Sequence, residues 1–343
     1  MPVMSTERLV GCRIVVRYLR DPAASGPPQS DLVGELTAAD RHSITVATRR
    51  GPVTVDRSAV LVLKPVAASR RDVLELERIS RRGWRAADQA EFHGWLLFAD
   101  RGWTGRANSV LPLRSPARPL PEMLDAARRY YAARGLPLQI QLPLPARDAL
   151  DGELAARHWR VERRSVVLTR SLLAGPITPL PTGHRFEAGD RPDRDWLAGY
   201  HYRGGRLPEH AVQLLARHDR VSFASIRTAG QLVAIGRGAV DDGWLGITAV
   251  EVAEPHRRRG LAAGLMHRLY DWGIGQGARH CYLQVDRSNT AALALYQRLG
   301  FTEHHHYHYR IEPDHAEAAA TAASDQPAQA QPTPQTRTGP PTR

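Results

Sequence analysis

Lysine is almost missing from this chain. Of 47 basic residues in 343, Lys64 is the only lysine and the others are arginines. A GxxxxGK[ST] phosphate loop is therefore excluded, because the residues before Lys64 read SAVLVL. A Schiff-base lysine would have to be Lys64 itself, which sits in a strand-like run. Cysteine is as scarce: Cys12 and Cys281 lie far apart in no paired motif, so neither a disulfide framework nor a zinc site is indicated. No apolar run approaches the roughly 20 residues that a membrane helix needs. The N-terminus, MPVMSTERLVGCRIVV, has no basic-then-apolar signal layout, so a cytoplasmic protein is expected. The net charge of +12 is spread thinly, +3 over residues 1–66, +7 over 67–182 and +3 over 183–312. No segment combines a dense basic run with interleaved aromatics, which argues against nucleic acid as a partner.

A hydrophobic content of 42% is ordinary for a globular protein, and the length is too great for one average core. Residues 9–66 read as five short β-branched runs punctuated by Gly, Pro, Asp and Arg turns. SITVATRRGPVTVD looks like a hairpin closed at Arg49-Arg50-Gly51. Five strands in so short a stretch suggest an all-β SH3-like barrel over 1–66, a docking module with a peptide or protein as its partner. From 67 to 175 the pattern alternates between helices and strands, with helical spacing over 72–92 and again in PLPEMLDAARRYYAARG. A Pro/Gly linker (176–183) leads into a second α/β stretch over 184–312. Residues 313–343, an Ala/Gln/Thr/Pro tail, carry too little apolar surface to fold.

The segment EPHRRRGLAAGLM, starting at residue 254, places three arginines and a glycine between a strand, ITAVEV, and an apolar helix. The first turn of a helix has unpaired N–H groups and the positive end of its dipole, so it is suited to an anion. Gly260 permits close backbone approach, and Ala262 and Ala263 keep the turn uncluttered. About thirty residues later comes LQVDRSNTAALALYQRLGF, in which Asn289 opens a helix and Tyr296 lies two turns on, on the same face. Taken singly, these are a charged corner, a helix cap and a core tyrosine. Their joint occurrence in this order is more specific.

Together they resemble the GCN5-related N-acetyltransferase (GNAT) family. Its pyrophosphate loop, Arg/Gln-x-x-Gly-x-Gly/Ala, is matched by Arg257, Gly260 and Ala262. Its later Asn…Tyr…Gly-Phe segment is matched by Asn289, Tyr296, Gly300 and Phe301. The resemblance covers 184–312 and implies a mixed-sheet α/β fold with acetyl-CoA as cosubstrate. By that resemblance Val250, Glu251 and Val252 pair with the pantetheine and thioester. Arg257, Arg258, Arg259, Gly260, Leu261, Ala262 and Ala263 form the pyrophosphate loop, and Asn289 and Tyr296 also contact the cosubstrate. Tyr296 is then the candidate acid for the departing thiolate. Some relatives carry a glutamate where this chain has Gln284. Glu251 is the candidate base, although strand alternation leaves open which way it faces; Asp241, Asp242 and Glu209 are others.

Aligning the strand–helix–strand endings of the two α/β stretches suggests a tandem whose first half, 67–175, is degenerate. Arg147 and Leu154 fall where Asn289 and Tyr296 stand, and RSPARPLPE offers prolines where the loop would need N–H donors. The layout is similar to that of high-GC bacterial acetyltransferases. A small-molecule amine, glutamate included, is expected as acceptor ahead of protein amines, with Arg203, Arg206 and Arg237 able to meet a carboxylate. A non-catalytic acyl-CoA-binding regulator is the alternative. His304, His306 and His308 would share one strand face, but ligands two apart rarely close a tetrahedral site, so no metal is assigned.

Overall fold

The computed structural model describes residues 6–21, 26–172, 179–201 and 207–313. Most of the expected tail, Arg203 and Arg206 lie outside these residues. Five antiparallel strands come first: β1 (Arg13–Leu19), β2 (Gln29–Ala39), β3 (Ser43–Thr48), β4 (Gly51–Asp56) and β5 (Val60–Pro65). They pair in the order β4-β3-β2-β1-β5. Alternation puts Ile14, Val16, Leu36, Ile44, Val46 and Val55 on one buried face. The hairpin expected at Arg49-Arg50 is present, with Thr48 opposite Gly51.

The expected SH3-like barrel is not. Among the described residues β4 and β5 pair only with β3 and β1, so the sheet is open. Its two edges carry Pro52 and Pro65, which lack the N–H that a closing ladder would need. Its outer face leaves Leu19, Val33, Leu61 and Val62 exposed.

The second sheet has eleven strands and carries the helices. Its first run is α1 (Arg70–Arg82), β6 (Asp88–Phe92), β7 (Trp95–Ala99), β8 (Val110–Pro112), α2 (Leu120–Ala132), β9 (Gln139–Leu144), α3 (Asp148–Ala155) and β10 (Arg160–Ser171). The helix expected over 72–92 thus stops ten residues early, at Gly83, and 88–92 form a strand. The second run is β11 (His184–Gly189), α4 (Arg194–Gly199), α5 (Glu209–Ala216), β12 (Val221–Thr228), β13 (Gln231–Asp241) and β14 (Trp244–Val252), followed by α6 (Leu261–Gly275), β15 (His280–Asp286), α7 (Thr290–Arg298) and β16 (Thr302–Ile311).

Both runs end in the order strand–helix–strand–helix–strand, and each gives its last strand to the other. The sheet order is β11-β12-β13-β14-β15-β10-β16-β9-β8-β7-β6. β10, which ends the first run, pairs with β15 (Leu168 opposite Leu283), while β16 pairs with β9 (His308 opposite Leu142). The two exchanged strands meet at the centre, with Val166 opposite His306. One continuous sheet therefore joins the halves, and side chains of the first run reach the second run's open end.

α6 settles closely onto β13 because Gly236 has no side chain there; a Cβ would stand 3.1 Å from Leu265 Cδ2. Leu261, Leu265 and Leu269 are fully buried beneath it, each contributing roughly 1.5–3 kcal/mol. Trp84, Phe98 and Leu111 of the first run pack with Trp196, Leu214 and Phe223 of the second. Among the described residues no helix is long and apolar enough to cross a membrane.

Candidate active site

The parallel ladder between β14 and β15 runs from Trp244–His280 to Ile247–Leu283 and then stops. Beyond it β14 follows β13 and β15 follows β10, so the two strands part. A bulge drives the separation. Three steps of β14, Thr248 to Glu251, face two of β13, Arg237 to Ile235, and Ala249 takes φ +56°. In the opening lies a cavity of about 370 Å³, bounded by β14 from Ile247 to Glu251, by Leu283–Asp286 of β15, and by Asn289, Ala292 and Tyr296.

Of the sequence-derived residues, Val250, Glu251, Asn289 and Tyr296 line this opening, and Val252 and Arg257 to Ala263 are not among its lining residues. Val250 and Glu251 line the cavity, and the bulge explains why both do: it shifts the alternation by one residue. Val252 ends β14, and its carbonyl accepts from Arg257 Nε at 3.1 Å. Arg258 (φ +63°) and Gly260 (φ +80°) turn the chain into α6, whose first turn has no side-chain cap. Arg257, Arg258, Arg259 and Gly260 are exposed, Ala262 and Ala263 half-exposed, and Leu261 anchors the turn in the core. The turn is thus exposed, uncapped by any side chain and carries three arginines, features that fit a pyrophosphate. Asn289 does cap α7, accepting from Ala292 N at 3.1 Å, and it lines the cavity as well.

Tyr296 is 7% exposed and its ring packs against Phe301, with centroids 5.7 Å apart. Burial, helped by nearby Cys281, pushes its pKa well up, so the hydroxyl keeps its proton. Glu251 Oε1 accepts from the backbone N–H of His201 at 2.9 Å, and Oε2 lies 3.3 Å from His201 Nδ1. The other carboxylates considered are elsewhere: Asp241 pairs with His218 at 2.6 Å and Asp242 with Arg82 at 2.8 Å. Gln284 Oε1 accepts from Arg106 Nε at 2.6 Å and from the Tyr307 hydroxyl at 3.4 Å.

Sequence reasoning missed the cavity wall opposite β14. Arg106, Arg163, Tyr200, His201, Tyr307 and Tyr309 line it, brought there by the strand exchange and by packing between the halves. Arg163 sits at a bulge in β10 with φ +51°, over the Tyr309 ring at 4.3 Å, and its Nε is buried without a partner. Arg237, a sequence candidate for meeting a carboxylate, is instead 1% exposed and donates to the carbonyls of Leu215 and Gly83. Burial lowers its pKa to about 10.

The histidines of β16 do not share one face. A bulge at His304 breaks the alternation, His305 meets Glu77 at 2.9 Å and His308 meets Asp151 at 2.8 Å. Among the described residues no group of three such side chains could hold a metal.

Residues 71–310 match the family model described as "Probable histone acetyltransferase Rv0428c C-terminal", and residues 8–64 the "Rv0428c N-terminal Sm-like domain". The chain is 32% identical to the probable histone acetyltransferase Rv0428c of Mycobacterium tuberculosis over 316 residues, 86% of this chain and 93% of the relative. It belongs to the GNAT family of N-acetyltransferases. Among solved structures, a GCN5-related N-acetyltransferase from Kribbella flavida superposes with a TM-score of 0.57 at 18% identity, covering 72% of this chain and 98% of the other. A tandem GNAT protein from the clavulanic acid biosynthesis pathway does so with a TM-score of 0.51 at 12% identity, covering 69% and 86%.

As a GNAT enzyme, the chain uses acetyl-CoA as cosubstrate and acetylates an amine, which sets aside the non-catalytic regulator. The Sm-like match agrees with the open five-stranded sheet and replaces the barrel reading.

Proposed function

We propose that this acetyltransferase acts on a small primary amine that also carries a carboxylate, with amino acids such as glutamate in the class. The observation that carries this reading is the charge of the acceptor wall. The guanidiniums of Arg106 and Arg163 both line the cavity, and Arg163 Nε is a buried donor without a partner. Glu251, beside His201, and Asp286, whose Oδ1 accepts from Ser288 N and Oγ, line the same cavity. The two guanidiniums suit a carboxylate on the acceptor, and this favours a small carboxylate-bearing amine over a histone-type acceptor despite the relative's name.

Bound in the opening, acetyl-CoA supplies an activated thioester. In this reading the β14 edge at Val250 and Val252 holds the acyl arm, and Arg257–Ala263 with Asn289 hold its phosphates. Glu251, steered by His201, accepts the amine proton, directly or through a water, and backbone N–H groups of the bulge stabilise charge on the carbonyl oxygen. Tyr296 donates toward the departing sulfur. CoA-thiol release with a panel of amines, glutamate, other amino acids, polyamines and basic peptides, tests it. Carboxylate-bearing amines should lead, and Glu251→Gln should flatten the acidic limb of kcat/KM against pH. A preference for basic peptides, or an unchanged limb, would refute acceptor or base respectively.

The first half is read as degenerate. Its matching opening lies between β8 and β9, which pair only at Val110–Ile140. Arg147 crosses it, Nε donating to Pro112 O at 2.7 Å, so a side chain occupies the place an acyl arm would take. α2 starts at Pro119 with no side-chain cap and a proline in its first turn, which removes an N–H. Calorimetry should give one acetyl-CoA per chain; two would overturn the degeneracy. The exposed apolar residues of the Sm-like sheet support a docking role for it, with a peptide or protein as partner.

A further inference from the structure

Away from the acetyl-transfer cavity, a cleft of about 630 Å³ opens between α1 and the edge of the sheet at β6 and β7. Its chemistry is unusual for a surface fold. Leu96, Phe98 and Leu113 give it an apolar side, and five arginines surround it. Three of these already hold carboxylates at the surface: Arg78 and Arg82 pair with Asp242 at 3.0 and 2.8 Å, and Arg85 with Asp219 at 2.8 Å. Asp241, on the same wall, is held by His218. Among the described residues the other two make no ion pair, although the charge of Arg81 acts on the buried Glu77 carboxylate. Arg114 is exposed on the rim and has no ion pair among the described residues, while Arg81 is 3% exposed with its guanidinium over the Phe98 ring at 5.0 Å. Arg81 Nε is buried with no hydrogen-bond partner. An N–H left so is costly, the more so on a charged group.

We propose that this cleft is a second ligand site, taking a small organic carboxylate whose apolar body lies against Leu96, Phe98 and Leu113. Its carboxylate accepts from Arg81 Nε and pairs with Arg114. Glu91, exposed at the rim, is outnumbered by the guanidiniums and does not reverse the sign. The site also has a route to the reaction. Arg81 Nη1 donates to the backbone carbonyl of Arg106, and Nη2 to Ser109 Oγ at 2.8 Å and to Gln141. One side chain therefore touches both the ligand and the segment that carries Arg106 into the acceptor wall. The occupant is an effector of acetyl transfer rather than its substrate.

Titration of the full chain with benzoate and with inorganic phosphate, saturated in CoA, tests this. Because Arg81 is buried and its loss could unfold the chain, the rim variant Arg114→Glu is used. Benzoate should bind the native chain at one site and bind Arg114→Glu about tenfold or more weakly, as loss of a charge-assisted pair predicts. Arg163→Gln should bind it as the native chain does, phosphate should bind more weakly than benzoate, and benzoate should slow hydrogen exchange over 104–109. Equal binding by Arg114→Glu would overturn the site, and loss in Arg163→Gln would move the ligand to the acetyl-transfer cavity. Phosphate matching benzoate would reduce the cleft to bare charge attraction, and unchanged exchange over 104–109 would remove the effector role.

Discussion

Tyr296→Phe should lower kcat by about 10²- to 10³-fold while acetyl-CoA affinity stays within about twofold, the size expected of a lost general acid. The substitution removes one hydroxyl and keeps the ring, so the packing against Phe301 and beneath α6 is retained. Burial raises the tyrosine pKa, which on its own makes the hydroxyl a weak acid. In the proposed mechanism the sulfur acquires its charge beside the same buried hydroxyl, where the poor solvation that holds the proton on Tyr296 would also raise the proton affinity of the thiolate. The two shifts run in parallel, so the donor remains matched to its acceptor. The same cause gives a sign for pH: the acid form persists above the ordinary tyrosine value of about 10, so kcat should show no alkaline loss from this group below that point. CoA-thiol release against pH, with calorimetry of acetyl-CoA on both proteins, checks it. Full activity in the Phe variant would remove Tyr296 from the chemistry and leave it a packing residue.

What was legible in the sequence is what lies close along the chain. Val250, Glu251, Asn289 and Tyr296 sit on one strand–loop–helix–strand–helix segment and line one opening, while Arg257 to Ala263, on the same segment, lie outside its lining. The acceptor wall was not legible. Arg163 reaches it because β10 leaves its own half to pair with β15, and Arg106 because it donates to Gln284 of β15, choices that depend on partners over a hundred residues away. Bulges defeated the strand-parity arguments. Ala249 turned Glu251 toward the cavity, and His304 broke the row of histidines, because one inserted residue swaps the faces of every residue beyond it. The strand count of the Sm-like sheet was readable from turn residues. Closure depends on whether first and last strands meet, and the prolines at 52 and 65 were the local sign that they do not.

The exchanged strands also create the point where stability should be most sensitive. Glu77 on α1 is fully buried, and His305 Nε2 meets it at 2.9 Å, Gln141 Nε2 at 2.6 Å and Ser80 Oγ at 3.2 Å. One carboxylate thereby ties α1 to β16, the strand given by the second half, and to β9 of the first. Glu77→Leu leaves His305 and Gln141 without their acceptor in a buried core, while Ser80 Oγ keeps the Glu77 backbone carbonyl at 2.9 Å, and breaking such a pair from one side costs about 3–5 kcal/mol. For a unit of this size that lowers Tm by roughly 10 °C or more. Glu77→Leu combined with His305→Leu should recover part of the loss, because the stranded imidazole goes too. Burial would raise the Glu77 pKa, but the bonds from His305 and Gln141 and the charge of Arg81 outweigh it, and the carboxyl is held below its usual range. A depressed folded value means that its stabilising share is complete above the unfolded value of about 4.3 and is lost as pH falls through the folded one. The Tm gap between native chain and Glu77→Leu should therefore be constant from neutral pH to about 5 and narrow in stronger acid. A gap that widened on acidification would mean that the carboxylate is not the stabilising partner. Ser80 Oγ also accepts from Gln284 Nε2 at 3.5 Å, and Gln284 Oε1 holds Arg106 at the acceptor wall. The buried anchor of the strand exchange and the wall proposed to meet the acceptor are thus joined by hydrogen bonds, so the variant, assayed well below its Tm, should also show a raised acceptor KM.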